Sequence, residues 1–213
     1  AAARDDARRA LQLPAVDAAL AAAANTLRAA GLLNGWRDEL LDVIAPSGEV
    51  LARVERAVMR PLGLATRAVH LNAYTADGRM WIAQRATTKS TDPGMWDTLV
   101  GGLIAAGETP ALALLRESDE EAGLTPHDLA HGRVSGTFEV TRHVPEGYQV
   151  EQVTVTDCVL PATCRPRNRD GEVAQIRTAS QGEVLDMIEA GLFTAEAALS
   201  VLVSLTAAST AAG

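Results

Sequence analysis

The chain predicts an α/β fold, an α/β/α sandwich preceded by a small helical and hairpin extension. Strand-like runs lie on both sides of a capped helical segment, Asp77-Gly78 marks a tight turn between two of them, and two helical patterns follow the last strand. At 213 residues and 47% hydrophobic content, the chain can bury one substantial core and carry a modest extension besides.

Residues 1–34 are rich in Ala and Leu and predict two helices divided near Pro14, with Asn34-Gly35 closing the second. The segment from Glu39 to Val54, ELLDVI then APSG then EVLARV, predicts a small hairpin. Pro61 to Gly63 is the expected boundary, giving an extension over 1–62 and a second domain over 63–213. AVHLNAYTADGRMWIAQRA predicts two alternating strands around Asp77-Gly78, and TLVGGLIA a third. A helix of about three turns is expected from Pro110 to Ala122, because Thr109 is a good N-cap, Pro110 tolerates the first helical position and Gly123 can stop it in the left-handed conformation. GTFEVTRHV and VEQVTVTDCVL are strand-like. A polar loop rich in Arg and Pro follows, then a short strand EVAQIRT, a helix from Ser180 to near Gly191, and another from about Thr194 through Ala208.

The Pro110–Ala122 helix carries the chemistry. Glu117, Glu120 and Glu121 stand at i, i+3 and i+4, so their carboxylates leave one face about one turn apart. Each like-charge pair costs roughly 0.2–0.5 kcal/mol on an isolated helix, and a cation among them removes that cost. Oxygen ligands without His or Cys suit a hard cation, Mg²⁺ or Mn²⁺. Ala111, Leu112 and Leu115 form the face expected to dock on a sheet.

The net charge of -8 argues against nucleic-acid or anionic-membrane partners, which call for a basic excess. Cys158 and Cys164 lack metal or disulfide-framework spacing and are expected as free thiols, consistent with a reducing cytoplasm. No run reaches the ~18 apolar residues of a membrane span, and Asp5, Asp6 and Asp17 interrupt the Ala-rich start, so no signal segment is expected. The absence of an initiator Met predicts a trimmed chain.

The stretch Gly102–Leu124 resembles the signature of the Nudix hydrolases: Gly102, Glu108, Arg116, Glu117, Glu120, Glu121, Gly123 and Leu124 fall in register. Ser118 departs, standing where that signature has an aliphatic residue. The resemblance covers roughly residues 65–210 and implies a Nudix-type α/β/α sandwich with a mixed sheet. It implies Mg²⁺ (or Mn²⁺) held by Glu117, Glu120 and Glu121, with Glu108 an outer ligand or support and a Gly101-Gly102 carbonyl, assigned to Gly102, a further ligand. Glu120 or Glu121 would accept a proton from the attacking water, and Glu172 is a candidate second base or ligand. Arg116 would orient the site through a salt bridge to Glu108 or to a helix carboxylate. The implied reaction is hydrolysis of a small-molecule diphosphate linkage to a monophosphate. The resemblance also allows a homodimer.

Gln84–Gly102 resembles two branches of that superfamily, the isopentenyl-diphosphate isomerases and the proteins related to the Nudix domain fused to thiamine pyrophosphokinase. The second fits better: GWRDELLDV, AVHLNAY, PGMWD, the DGEV of Asp170–Val173 and GLFTAEAAL occur in its order. The isomerases need a cysteine on the strand before the helix, where this chain has Leu99, Val100 and Gly101. The implied substrates are thiamine diphosphate or its damaged oxo and oxy analogues. The alternatives are nucleoside diphosphate derivatives or nucleoside triphosphates, an isomerase, and a non-catalytic ligand sensor. Arg85 and Lys89 would meet the phosphates, and Trp96 would stack on a heteroaromatic ring or anchor packing. His70 is expected to be structural.

Overall fold

The computed structural model describes the backbone of residues 2–89 and 91–211, and side chains over 14–89 and 91–208. The chain divides into two compact units. The first comprises 1–66, 104–108 and 139–152, and the second 67–103, 109–138 and 153–213.

The first unit opens on one helix, α1 (Ala2–Ala29), and not on two. Pro14 lies inside it. A proline there costs about 3 kcal/mol, yet the Ala-rich flanks have the highest helix propensity and continue the helix past it. The end also differs from expectation. Gly31, at φ +69°, takes the left-handed position, and Leu32 N–H donates to Leu27 O at 3.0 Å, so the helix ends at Ala29, short of Asn34. The hairpin forms as expected from β1 (Leu40–Ile44) and β2 (Val50–Glu55), paired antiparallel from Leu40 opposite Glu55.

The remaining strands form a seven-stranded sheet. Its strands are β3 (Ala65–Tyr74), β4 (Met80–Arg85), β5 (Trp96–Thr98), β6 (Val100–Leu103), β7 (Arg133–Val144), β8 (Gly147–Val159) and β9 (Val173–Ala179). The order is β5-β4-β3-β8-β7, with β6 added on β3 and β9 on β4. β7 and β8 are longer than their sequence patterns suggested and are joined by Pro145 and Glu146 alone. The alternation expected of β3 is absent: every residue from Ala68 to Ala73 is buried, as in a strand covered on both faces. Burying Val69 or Leu71 completely is worth roughly 1.5–3 kcal/mol each.

Three helices join this sheet: α2 (Pro110–Ala122), α3 (Gln181–Glu189) and α4 (Ala195–Ala211). Met80, Ile82, Phe193, Ala197 and Val201 share one core cluster that ties α4 to β4. α2 docks through Ala113, Leu114, Ser118 and Ala122, whereas Leu112 is 55% exposed. The expected docking face of Ala111, Leu112 and Leu115 is therefore turned by about one residue, because the residue that must go inward is Glu121. Ser118 is fully buried and its hydroxyl has no hydrogen-bond partner. No described helix is long and apolar enough to cross a membrane.

Candidate metal and diphosphate site

The α2 caps are those its sequence calls for. Thr109 Oγ1 accepts from Leu112 N–H at 3.3 Å, and Gly123 at φ +65° ends the helix. These fix which carboxylates face the sheet. Glu121 is 8% exposed, and its Oε2 accepts the Gly101 N–H at 3.0 Å. Burial, helped by the nearby Glu117 and Asp97 charges, pushes its carboxyl up to about 8 against the opposing pull of the Gly101 N–H and of Lys89.

Glu117 and Glu120 are placed differently. Arg116 Nη1 donates to Glu117 Oε1 at 2.7 Å and to Glu120 Oε2 at 3.3 Å, while Nη2 donates to Leu103 O at 3.0 Å. The arginine thereby neutralises part of the helix cluster and ties it to β6. The Glu117 side chain occupies the space a Cβ on Gly102 would need, and the His70 ring lies 2.9 Å from where one would stand on Gly101. Both glycines are required by close approach.

Two further carboxylates arrive on the loop before β9. Asn168 Oδ1 accepts from Gly171 N–H at 3.0 Å, Asp170 Oδ1 accepts from Glu172 N–H at 2.8 Å, and Gly171 takes φ +85°. This turn brings oxygens of Asp170 and Glu172 together with one of Glu121, all within 4.8 Å of one another. The donor set is all oxygen, which fits a hard divalent cation.

Arg85, Lys89, Asp97, Thr98, Glu121 and Glu172 line one small cleft. Lys89 is ion-paired with Glu172. Arg85 is held by Thr91 O at 2.9 and 3.1 Å and by Asp97 Oδ2 at 3.2 Å. His70 Nδ1 lies 2.8 Å from Thr98 Oγ1, which also donates to Val100 O. Trp96 packs against the Met80–Ile82 cluster, with the Arg177 guanidinium 4.6 Å from its ring centroid. Glu108 belongs to the first unit, where its Oε2 accepts from Ala105 N–H at 3.0 Å. Cys158 and Cys164 are free thiols, both pushed up by burial and so poor nucleophiles.

Thus Glu121, Glu172, Arg85 and Lys89 share one cleft, Glu117 and Glu120 are gathered by Arg116, and Trp96 lies partly buried beside the Arg177 guanidinium. Sequence reasoning missed Asp170, whose signal was the Asx-turn spacing Asn168-x-Asp170-Gly171, and Asp97, which had none.

The described residues thus form a seven-stranded sheet with an acidic helix and a facing acidic loop. The sequence model of the NUDIX domain matches residues 64–198, and the chain belongs to that family. It is 32% identical over 168 residues to Nudix hydrolase 20, chloroplastic, from Arabidopsis thaliana, covering 75% of this chain and 44% of that one. A second Arabidopsis protein, Nudix hydrolase 24, chloroplastic, is 34% identical over 167 residues, with 74% and 44% covered. The chain therefore spans less than half the length of these relatives. Among solved structures, DR0079 from Deinococcus radiodurans shares the fold with a TM-score of 0.55 and 22% identity, over 76% of this chain and 97% of that one.

Proposed function

We propose that this chain is a divalent-metal-dependent hydrolase that cleaves a diphosphate linkage in a small molecule and releases a monophosphate. The observation that carries this reading is the buried Glu121, held at the Gly101 amide beside Asp170 and Glu172. A carboxylate so placed is costly without a cation and useful with one.

Glu117, Glu120 and Glu121 on α2, with Glu172 and Asp170 opposite, would hold Mg²⁺ or Mn²⁺, with Glu108 and the Gly102 carbonyl in support. When bound, the cation supplies charge neutralisation and Lewis acidity toward phosphate oxygens and water. The protein's own groups do the rest. Arg85 and Lys89 stand at the cleft to offset phosphate charge, and Arg85 is pre-oriented by Thr91 and Asp97. Glu120, Glu121 or Glu172 takes the proton from the attacking water. Arg116 keeps Glu117 and Glu120 from splaying. Trp96 is the candidate to stack on a heteroaromatic ring of the substrate, with the Arg177 guanidinium 4.6 Å from its ring centroid.

Within this class, thiamine diphosphate or its oxo and oxy analogues is the proposed substrate, supported by the ordered segments GWRDELLDV, PGMWD, DGEV and GLFTAEAAL. Nucleoside diphosphate derivatives are the second reading, resting on family membership. A panel of both kinds assayed with Mg²⁺ for monophosphate release, wild type beside Glu121→Gln, decides between them. Turnover confined to thiamine-type diphosphates and lost in the variant supports the first reading. Turnover of ADP-ribose or nucleotides alone replaces it with the second, and none at all with Mg²⁺ bound overturns the hydrolase assignment.

A further inference from the structure

We infer that the amino-terminal hairpin braces the Ala105–Glu108 turn, with Asp42 as the positioning residue that fixes where Glu108 stands. The turn is closed on itself by Glu108 N–H donating to Ala105 O and by the Glu108 carboxylate accepting from Ala105 N–H, both at 3.0 Å. So the side chain and the turn are one geometric object. Two further bonds tie that object to β1. Ala106 N–H donates to Leu40 O at 2.9 Å, and Gly107 N–H donates to Asp42 Oδ2 at 3.0 Å.

Asp42 is well placed for this. It is 7% exposed, and its other oxygen accepts from Arg53 Nε at 3.2 Å, across the hairpin on β2. Arg53 N–H in turn donates to Asp17 Oδ1 at 2.6 Å, which links α1 to the same network. A charged acceptor gives the Gly107 amide a stronger bond than a neutral one. Gly107 sits at φ +79°, a conformation that a side chain would resist and that aims its N–H at Asp42. Glu108 is followed at once by Thr109, the N-cap of α2.

The role of Asp42 in metal binding rests on the reading of Glu108 as a supporting ligand, whereas the brace itself does not. Groups that orient metal ligands typically change affinity by 10–100-fold when removed. The test uses the full chain, with hydrogen–deuterium exchange of the 104–108 amides and Mg²⁺ titration on wild type, Asp42→Ala, Asp42→Asn and Arg53→Met. In Asp42→Ala the Ala106 and Gly107 amides should exchange about tenfold faster, and the Mg²⁺ midpoint should rise about tenfold, with kcat at saturating Mg²⁺ held within about twofold. Asp42→Asn keeps an oxygen for Gly107 and should restore both, and Arg53→Met should leave the amides protected. General damage to the fold would lower kcat without this selective metal shift or its rescue by Asn. Unchanged exchange in Asp42→Ala overturns the brace. Faster exchange with an unchanged Mg²⁺ midpoint overturns the positioning role. A wild type that turns over no diphosphate defeats the proposed function and leaves the exchange and binding results standing.

Discussion

Glu121 and Glu120 are neighbours in the chain and opposites in the structure. Glu121 is 8% exposed, bound to a backbone amide and raised to about 8, whereas the Glu120 side chain is 49% exposed and shares Arg116 with Glu117. The difference comes from helix geometry, since consecutive residues diverge by about 100° and only one can face the sheet. It teaches that carboxylates one residue apart on a helix can differ in burial, partners and proton affinity, which charge count alone does not tell.

The contrast is broken most severely at the buried member. Glu121→Gln should lower kcat by about 10²–10⁴-fold in a steady-state assay while circular dichroism stays native. Glu120→Gln should cost less, about tenfold in Mg²⁺ affinity, and excess Mg²⁺ should restore turnover. Equal loss of activity in the two variants would mean that burial does not separate their roles. The packing beneath the pair is sharpened by Gly102→Ala, where the new methyl meets the Glu117 side chain. It should destabilise the fold by about 1–3 kcal/mol in urea melts.

Proton linkage gives a gentler probe. The Glu121 pKa is raised on folding, from 4.5 to about 8, so its contribution to stability is full below 4.5 and is lost as pH rises toward 8. Without metal, Glu121→Gln should therefore melt increasingly above wild type as pH rises from 5 to 8. With Glu121 as the proposed ligand, a bound cation displaces that proton, so apparent Mg²⁺ affinity should climb with pH below about 8 and then level, measured by calorimetry in paired buffers. The smallest effect is expected at Ser118→Ala, which removes a buried hydroxyl with no partner and should gain about 1 kcal/mol, a rise of a few degrees in Tm.

α2 was legible to the residue because its information is local: Thr109, Pro110 and Gly123 each act within one turn. The β3–β4 hairpin was legible for the same reason. Where the outcome depended on partners far along the chain, the sequence was silent or misleading. Nothing near Ala68–Ala73 says that both faces of β3 will be covered, and nothing near Asp170 says that its loop will return to Glu121. His70 is buried against Thr98, and its ring also fills the space beside Gly101, a role visible only once β3 and β6 are paired. Pro14 misled because a local penalty was weighed without the propensity of the residues on either side.

The two units exchange the chain five times, after residues 66, 103, 108, 138 and 152. A gene cut after the hairpin thus yields a fragment lacking 104–108 and 139–152, which belong to the unit it was meant to isolate. Neither half should accumulate as a well-behaved soluble product in separate expression, and transplanting the extension onto another scaffold would require carrying those two internal segments with it.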